Sequence, residues 1–594
     1  MDKVKTISYR KDIDGLRAVA VLAVILFHMG YLPNGYLGVD IFFAISGFLI
    51  TKIVYNEALQ NRFSIINFYL RRTRRIIPLV LFTSLIALLI GFLVMLPDDF
   101  ENLSQSVFAT NFFANNILQL ITTADYWDIV NEFKPLMHTW SLGVEEQFYL
   151  LYPIIFLLFN GKRSRYILPL LIVLTGASLL LYFSAASEAA KFYSIQFRFF
   201  ELAFGGLGAI IFKDKLINAR YSIILIFIIL AILVVNLHLP DSLKLLLTVI
   251  ASVGLLISGQ NNHKLSAILL ENKLAVGIGK ISFSLYMWHQ IVLAYTRYFI
   301  TDQIGVIASI IIFVIILLLS IFSYYTIEQP FRDKKRISTK MLLSVSGILF
   351  VIICSASLYF YYVGGVIRDV PELELRKSDN KVNFGNGKRN IHIEYNAKIY
   401  DLDKKFTDSG TIKVLVIGNS FARDFANILL ESKFSKGIEI SYVYDIRKCN
   451  DINERLSEAK FVFFSELEMK DLEEYTHKYR IDTTKAWNVG TKNFGSNNGI
   501  FYNKRGDDNY CSQRTRMLQG TIEKNDSLKH QWGAKYIDLI GAMIDKDGKV
   551  PVFSSDCKFM SQDCRHLTHA GAVYFAQKLD LSQIFNFQQI IGTR

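Results

Sequence analysis

Residues 413–430 read KVLVIGNSFARDFANILL. The opening apolar residues have the character of a buried strand, Gly418-Asn419-Ser420 make a turn, and the remainder runs on like a helix. A serine on a sharp strand-to-helix turn is how many hydrolases expose a nucleophile. The stretch predicts an α/β region with Ser420 as its nucleophile.

Upstream the chain is of another kind. Of 594 residues, 52% are hydrophobic and 14% aromatic, with a net charge of +13. Those are values of a membrane protein with a soluble part. From residue 16 to about 363, apolar segments of membrane-spanning length recur between short charged loops; from 367 onward polarity rises and no segment is long enough to span. The boundary is set in RDVPELELRKSDNK, residues 368–381. The first apolar segment lacks a small-residue cleavage motif and is followed by a second, which predicts a retained anchor.

Helices are expected near 16–30, 37–58, 76–96, 136–159, 166–184, 198–212, 221–236, 243–259, 281–300, 304–327 and 341–363, about eleven spans. An odd number puts the chain ends on opposite sides. Loops on the N-terminal side carry the basic residues: Lys3, Lys5, Arg10 and Lys11; Arg71, Arg72, Arg74 and Arg75; Lys162, Arg163 and Arg165; Lys213, Lys215 and Arg220; Lys264, Lys273 and Lys280; Arg332, Lys334, Lys335 and Arg336. Opposite loops are acidic or neutral, with DDFE at 98–101, then Asp125, Asp128 and Glu132. The positive-inside rule makes the N-terminus cytoplasmic and the region after Val363 extracytoplasmic. This topology accounts for the basic charge without nucleic-acid binding.

Several ionisable residues fall inside expected spans: Arg17 and His28 in the first, then Asp40 with Ser46, Glu145 with Glu146, Arg198 with Glu201, and His289. Arg17 and His28 are eleven positions apart, roughly 16 Å along a helix. Such groups cost several kcal/mol at membrane depth unless they pair or face a wet cavity. Structural pairs between helices, such as Arg198 with a carboxylate, are one reading. For His28 a neutral imidazole acting as proton acceptor is the stronger one. The arginine cluster reads first as topology; Arg71, Arg74 and Arg75 also suit the phosphates of a cytoplasmic donor.

The series DGLRAVAVLAVILFH, GYLGVDIFFAISGFLIT, RRTRRIIP, HTWSLGVEEQFYLLYP, ISFSLYMWHQ and TIEQPFR resembles the integral-membrane acyltransferase family 3 over roughly residues 8–335. The resemblance implies an acyl group, usually acetyl, taken from cytoplasmic acyl-CoA and passed outward, with His28 as base and Arg17 as a donor contact.

Near the C-terminus DCRHLTHAGAVYFAQKL places Asp563 and His566 three positions apart at a helix entrance. That spacing lets one turn present a base already oriented by a carboxylate, with Ser420 attacking. His569 is a rival base. Together the two stretches resemble the SGNH hydrolase-like fold, a parallel α/β sheet, over roughly 411–585. The usual Gly-Asp-Ser of that family is Gly418-Asn419-Ser420 here. Ser420 N–H, with Asn419 beside it, is expected in the oxyanion hole, while FVFFSELE, residues 461–468, ends without a clear Gly-x-Asn to supply further donors. NVGTKNFGSNNG, residues 488–499, reads as a loop that could meet sugar hydroxyls, although loops of this composition are more often merely turns. Cys354 lies in a span; Cys449, Cys511, Cys557 and Cys564 lie in the outer region, where Cys557 and Cys564 flank the approach to Asp563 and could bridge. No metal-ligand spacing is evident.

The expected chain is thus a polytopic α-helical membrane domain (1–336), a further transmembrane helix and linker (337–410), and an extracytoplasmic SGNH-like α/β domain (411–594). Fused chains of this kind resemble bacterial surface-glycan O-acetyltransferases of the inner membrane. The GNSFARDF turn looks more like the lipopolysaccharide O-antigen branch than the peptidoglycan one. Acetyl-CoA is the expected donor, with no tightly bound cofactor, and a surface polysaccharide the acceptor. A transporter with an appended esterase, and an anchored carbohydrate esterase, are the rivals; the absence of an evident inverted repeat weighs against the first and the number of spans against the second.

Overall fold

The computed structural model describes residues 9–585 apart from 124–129, 160, 186, 214–217, 219, 259–263, 302–303, 380–390 and 408–409. Lys3, Lys5, Asp125, Asp128 and Lys215, used above for topology, and residues 380–381 of the boundary stretch lie outside the described residues. The chain forms two compact units, residues 1–93 with 100–361, and 94–99 with 362–594.

In the first unit every expected span contains a helix. Among the described residues seven helices are long and apolar enough to cross a membrane: Gly35–Leu59, Ile65–Val94, Met137–Leu158, Arg163–Ser184, Asp241–Ser258, Val306–Arg332 and Thr339–Tyr362; Arg220–Val234 is apolar but shorter. The other three, Lys11–His28, Ile195–Ile211 and Ser282–Phe299, are those that carry Arg17 with His28, Arg198 with Glu201, and His289. Their polarity goes inward: Arg198, Glu201 and His289 are all buried, as polar groups in an apolar solvent must be.

Helices Gly38–Leu59 and Ile195–Ile211 pack backbone to backbone. A Cβ on Gly47 would lie 1.8 Å from the Leu202 carbonyl oxygen, and one on Gly205 2.2 Å from that of Ala44. Small residues at such a crossing let dispersion contacts form where lipid gives helices no hydrophobic drive to associate. Helices Pro97–Asn111 and Asn115–Thr123 are additional to the expected spans; they are too short to cross a membrane.

The second unit is an α/β layer structure. Strands β1 (Ile412–Ile417), β2 (Ile438–Val443), β3 (Phe461–Ser465), β4 (Ala486–Val489) and β6 (Tyr536–Ile537) form a sheet in the order β2-β1-β3-β4-β6. β5 (Arg514–Arg516) and β7 (Lys549–Pro551) make a separate antiparallel pair. All four pairings in the larger sheet are parallel, with Ile412 opposite Ile438 and Val414 opposite Phe461. Both of its faces are covered, which is why IKVLVI is apolar nearly throughout rather than alternating. Val414 and Val416 pack into one core with Phe425, Phe463 and Phe575; Leu415 and Ile417 pack into the other with Val462, Phe464 and Leu472.

The expected linker after the last span is not a linker. Val366, Val370, Leu373 and Leu375 are buried in one cluster with Tyr502, Tyr510, Phe553 and Phe559, and Arg505 Nε donates to Glu372 Oε1 at 2.6 Å. A segment with that much buried apolar area belongs to the folded unit.

Candidate active site

Ser420 stands at the carboxyl end of β1, beside β3, where the strand order reverses, the usual position for a ligand on an open parallel sheet. Gly418 has φ 137°, and a Cβ there would lie 2.8 Å from Ser465 Oγ, so the sharp turn needs glycine. Gly418 N–H donates to Val443 O at 2.9 Å, and Tyr442 Oη donates to the Gly418 carbonyl at 2.8 Å. The Asn419 side chain caps helix Ser420–Glu431, accepting from Phe421 N–H at 3.0 Å. Its amide oxygen is therefore spent as a cap. The Ser420 backbone N–H lies at the helix start, the positive end of its dipole.

His566 Nε2 lies 2.8 Å from Ser420 Oγ, and His566 Nδ1 lies 2.7 Å from Asp563 Oδ2. Asp563 Oδ1 accepts the N–H groups of His566 at 2.8 Å and Arg565 at 3.1 Å. Partial burial alone would raise the Asp563 carboxyl; the adjacent His566 and these hydrogen bonds outweigh it and hold the group well below the usual carboxylate range. An ionised Asp563 fixes the imidazole proton on Nδ1, which leaves Nε2 to accept from the serine hydroxyl. The rival base is elsewhere: His569 lies between Glu374 (3.5 Å) and Glu431 (3.7 Å).

Residues 488–499 do not offer their amides to solvent. Asn488 exchanges hydrogen bonds with the Leu467 backbone, and Asn493 accepts from Gly495 and Leu518 N–H. Asn498 donates to Ser561 O at 2.8 Å and Gln562 O at 3.1 Å. The segment is a scaffold for the acid-base turn, which corrects the expectation of a sugar-meeting loop. The suggested Cys557–Cys564 bridge does not form either. Cys557 is bonded to Cys511, and Cys564 is a buried free thiol, as is Cys354.

The membrane unit has its own polar cluster. A cavity is lined by Arg17, Ser46, Arg72, Arg75, Ser141, Glu145, Tyr149 and Tyr286 among apolar neighbours. Ser46 Oγ and Tyr149 Oη both donate to the Glu145 carboxylate. Arg72 and Arg75, three apart on one helix, share the cavity face. Arg71 instead pairs with Glu57 at 3.1 Å. Arg74 is buried, bonded to the carbonyls of Phe331 and Ile337 and to Thr339 Oγ1. Of the expected donor contacts Arg17 and Arg75 therefore face the cavity, Arg71 and Arg74 do not, and Arg72 was missed because nothing in RRTRR reveals which helix face turns inward.

His28 Nδ1 lies 2.9 Å from the Val24 carbonyl, which can only accept, so Nε2 is left as the basic nitrogen. Its ring centroid is 5.1 Å from that of His289, which in turn is 5.0 Å from that of His138. His138, in the HTWSLG motif, was not singled out from sequence. Helix Ser282–Phe299 joins the two places, carrying Tyr286 on the cavity wall and His289 against His28. Asp40, Arg198 and Glu201 form a separate buried cluster, with Arg198 2.8 Å from Asp40 and 3.1 Å from Glu201. This is the structural pairing that was weighed for Arg198. Among the described residues no group of three or more His, Cys, Asp and Glu is placed to hold a metal ion.

A family profile described as an acyltransferase domain matches residues 10–328, more than half of the chain. The chain belongs to the acyltransferase family. Similar proteins include the O-acetyltransferase OatA of Staphylococcus aureus strain NCTC 8325, 30% identical over 368 residues, and SAS0844 of strain MSSA476, which carries a provisional O-acetyltransferase name, 29% identical over 357 residues. Each match takes in 56% of this acyltransferase chain and 59% of the relative, so less than two thirds of either relative's length is spanned. No solved structure matches the chain.

Proposed function

We propose that the protein is a membrane O-acetyltransferase that moves an acetyl group from cytoplasmic acetyl-CoA to a hydroxyl of a cell-surface polysaccharide, through an acyl-enzyme on Ser420. The observation that carries this reading is the Ser420–His566–Asp563 geometry in a chain whose other unit belongs to an acyltransferase family. Positive-inside loops favour a cytoplasmic N-terminus, eleven crossings and a C-terminal unit outside, where free acetyl-CoA is absent and an acyl supply through the membrane unit is needed.

In the membrane unit the arginines at the cavity, Arg17, Arg72 and Arg75, suit the phosphates of the donor, and His28 Nε2 suits proton removal from the group that first accepts the acetyl. In the outer unit Ser420 Oγ attacks the delivered acetyl carbonyl while His566 Nε2 takes its proton. The tetrahedral oxyanion lies toward the helix start, and the leaving group departs with that proton. A sugar hydroxyl then attacks the serine ester, its proton passing to His566 and on to Ser420 as the ester breaks. Overall, acetyl-CoA and a sugar hydroxyl give the sugar acetate and CoA thiol.

The acceptor we favour is lipopolysaccharide O-antigen, on the likeness of the GNSFARDF turn; peptidoglycan and capsule are the alternatives. The names of the relatives specify the group transferred and no acceptor. Tyr444, 56% exposed, adjoins the backbone bond between Val443 and Gly418, and Tyr400, 46% exposed, packs on Tyr442. Aromatic faces at such a place suit stacking on sugar rings.

The deciding experiment is mass spectrometry of acetyl groups on lipopolysaccharide and peptidoglycan from a deletion strain carrying wild type, His28→Ala or Ser420→Ala. Loss of one acetyl signal in both variants is expected, and it identifies the acceptor. Full modification by His28→Ala would remove the membrane unit from the chemistry, and a higher acetyl content in Ser420→Ala than in wild type would favour an anchored esterase.

A further inference from the structure

Asp424 lies one helical turn after Ser420, on the same face of helix Ser420–Glu431. Its side chain is 1% exposed. One carboxylate oxygen pairs with Arg423 at 3.0 Å. The other meets Lys492 Nζ at 3.0 Å and accepts the N–H of Leu567 at 2.9 Å.

That N–H belongs to the peptide unit joining His566 to Leu567. The carbonyl at its other end accepts from Ser561 Oγ at 2.7 Å and from Gln562 N–H at 3.0 Å. The unit is thus gripped at both ends, and only Asp424 among these partners sits on the helix that carries the nucleophile. Lys492 is wholly buried, with its ammonium 3.9 Å from the centre of the Phe421 ring. Two residues later in the same segment, Phe494 N–H donates to Cys564 O at 2.8 Å, inside the acid-base turn. Lys492 and Asp424 together lock three segments: the nucleophile helix, residues 488–499, and the turn of Asp563 and His566.

We infer that Asp424, charge-compensated by Lys492, is the positioning residue that sets the distance between Ser420 and His566. The inference rests on the reading of Ser420 as nucleophile. The imidazole reaches Ser420 from a short turn, so its Nε2 moves with its own backbone. A carboxylate fixed to the serine helix makes the two move together. Misplacement by about 1 Å is enough to cost about a hundredfold in rate.

The test uses the full-length protein in detergent, a fluorophosphonate probe, and peptide mass spectrometry to follow modification of Ser420. Asp424→Asn with Lys492→Met retains an amide oxygen for the Leu567 N–H and leaves no unpaired lysine. Asp424→Ala with Lys492→Met removes that oxygen at the same charge. Labelling about tenfold or more slower in the alanine pair than in the asparagine pair is expected, with kcat for p-nitrophenyl acetate falling in parallel and KM equal in the two. Both rates are taken per folded protein, with the folded fraction measured by thermal unfolding in the same detergent, because a loss of folded protein alone also lowers apparent kcat at constant KM. Should the alanine pair not fold, Asp424→Leu with Lys492→Met fills the space and carries the same comparison. Equal labelling rates would overturn the positioning role and leave the triad standing. A wild-type protein unlabelled at Ser420 would bring down the nucleophile reading and this inference with it.

Discussion

The C-terminal unit assembles its candidate site from two short stretches meeting at the end of a sheet, whereas the membrane unit spreads the polar residues of its cavity over five helices, Lys11–His28, Gly38–Leu59, Ile65–Val94, Trp140–Leu158 and Ser282–Phe299. In the first, backbone geometry does the aiming: a glycine with φ 137° and an Asp-x-x-His turn closed on itself. In the second, aiming depends on how each helix is rotated about its axis. Local sequence specifies the former, and long-range packing the latter.

Histidine provides the sharpest way to break this comparison. His566→Gln is expected to reduce acyl-enzyme formation about a thousandfold or more, while His569→Gln, whose ring lies between Glu374 and Glu431, stays within about twofold, as befits a group outside the triad. Stopped-flow measurement of ester turnover separates them. Comparable losses in both would mean that the Asp-x-x-His turn is not the base.

The arginines test the membrane side. Arg72→Ala and Arg75→Ala remove cavity-facing cations, and each is expected to raise the acetyl-CoA requirement about tenfold, near the loss of one hydrogen bond to a charged group. Arg71→Ala should change it less than about twofold, in keeping with the small worth of exposed ion pairs. Acetyl transfer by membrane vesicles at graded donor concentration reads the difference. A dominant effect of Arg71 would move the donor site off the cavity described here.

These two tests mark what could be read from the sequence and what could not. The buried strand, the serine turn and the base were legible because each is a local pattern with its own backbone requirement. Each expected span contains a helix, and among the described residues seven are long and apolar enough to cross a membrane, so their places were legible from hydropathy. Arg72 was not, since Arg71, Arg72, Arg74 and Arg75 look alike until the rotation of helix Ile65–Val94 is known. His138 sits just before a helix, in a turn whose depth hydropathy does not report. Lys492 was hidden for the opposite reason: a polar Gly- and Asn-rich segment reads as exposed loop, yet here its polar atoms are spent on neighbouring backbone. The linker was misread because its apolar residues, Val366, Val370, Leu373 and Leu375, are too few and irregular to announce a core.

Glycine asks whether packing differs between the units as aiming does. In the membrane unit Gly205→Val drives a side chain into the Ala44 carbonyl, a backbone clash that forces the helices apart, and is expected to cost about 1–3 kcal/mol. Gly418→Ala meets the end of the Ser465 side chain, which can rotate away, and the Ala422 Cβ at 3.2 Å, so its cost combines φ with a mild contact and is about 1 kcal/mol. Thermal unfolding in detergent should show the first as the larger shift, and Gly418→Ala should slow Ser420 labelling disproportionately to its stability.

The smallest expected effect is the dependence on acid. Asp563 titrates below the ordinary aspartate value of 3.8, so the folded state holds fewer protons there than the unfolded state does. Its contribution to stability is complete above that ordinary value and is lost as pH falls through the lower, folded value. The side chain is 44% exposed, so solvent screens much of the interaction. Asp563→Asn should therefore shift the unfolding temperature of the protein by only about a degree or two at neutral pH, and the shift should shrink as pH falls below the ordinary aspartate value and vanish only below the lower, folded one. Activity should respond far more strongly, because asparagine no longer compels the imidazole proton onto Nδ1 and Nε2 loses its lone pair toward Ser420. A large stability effect with little change in turnover would make Asp563 a structural anchor of its turn, and the Ser420 site would then owe its aim to packing, as the membrane site does.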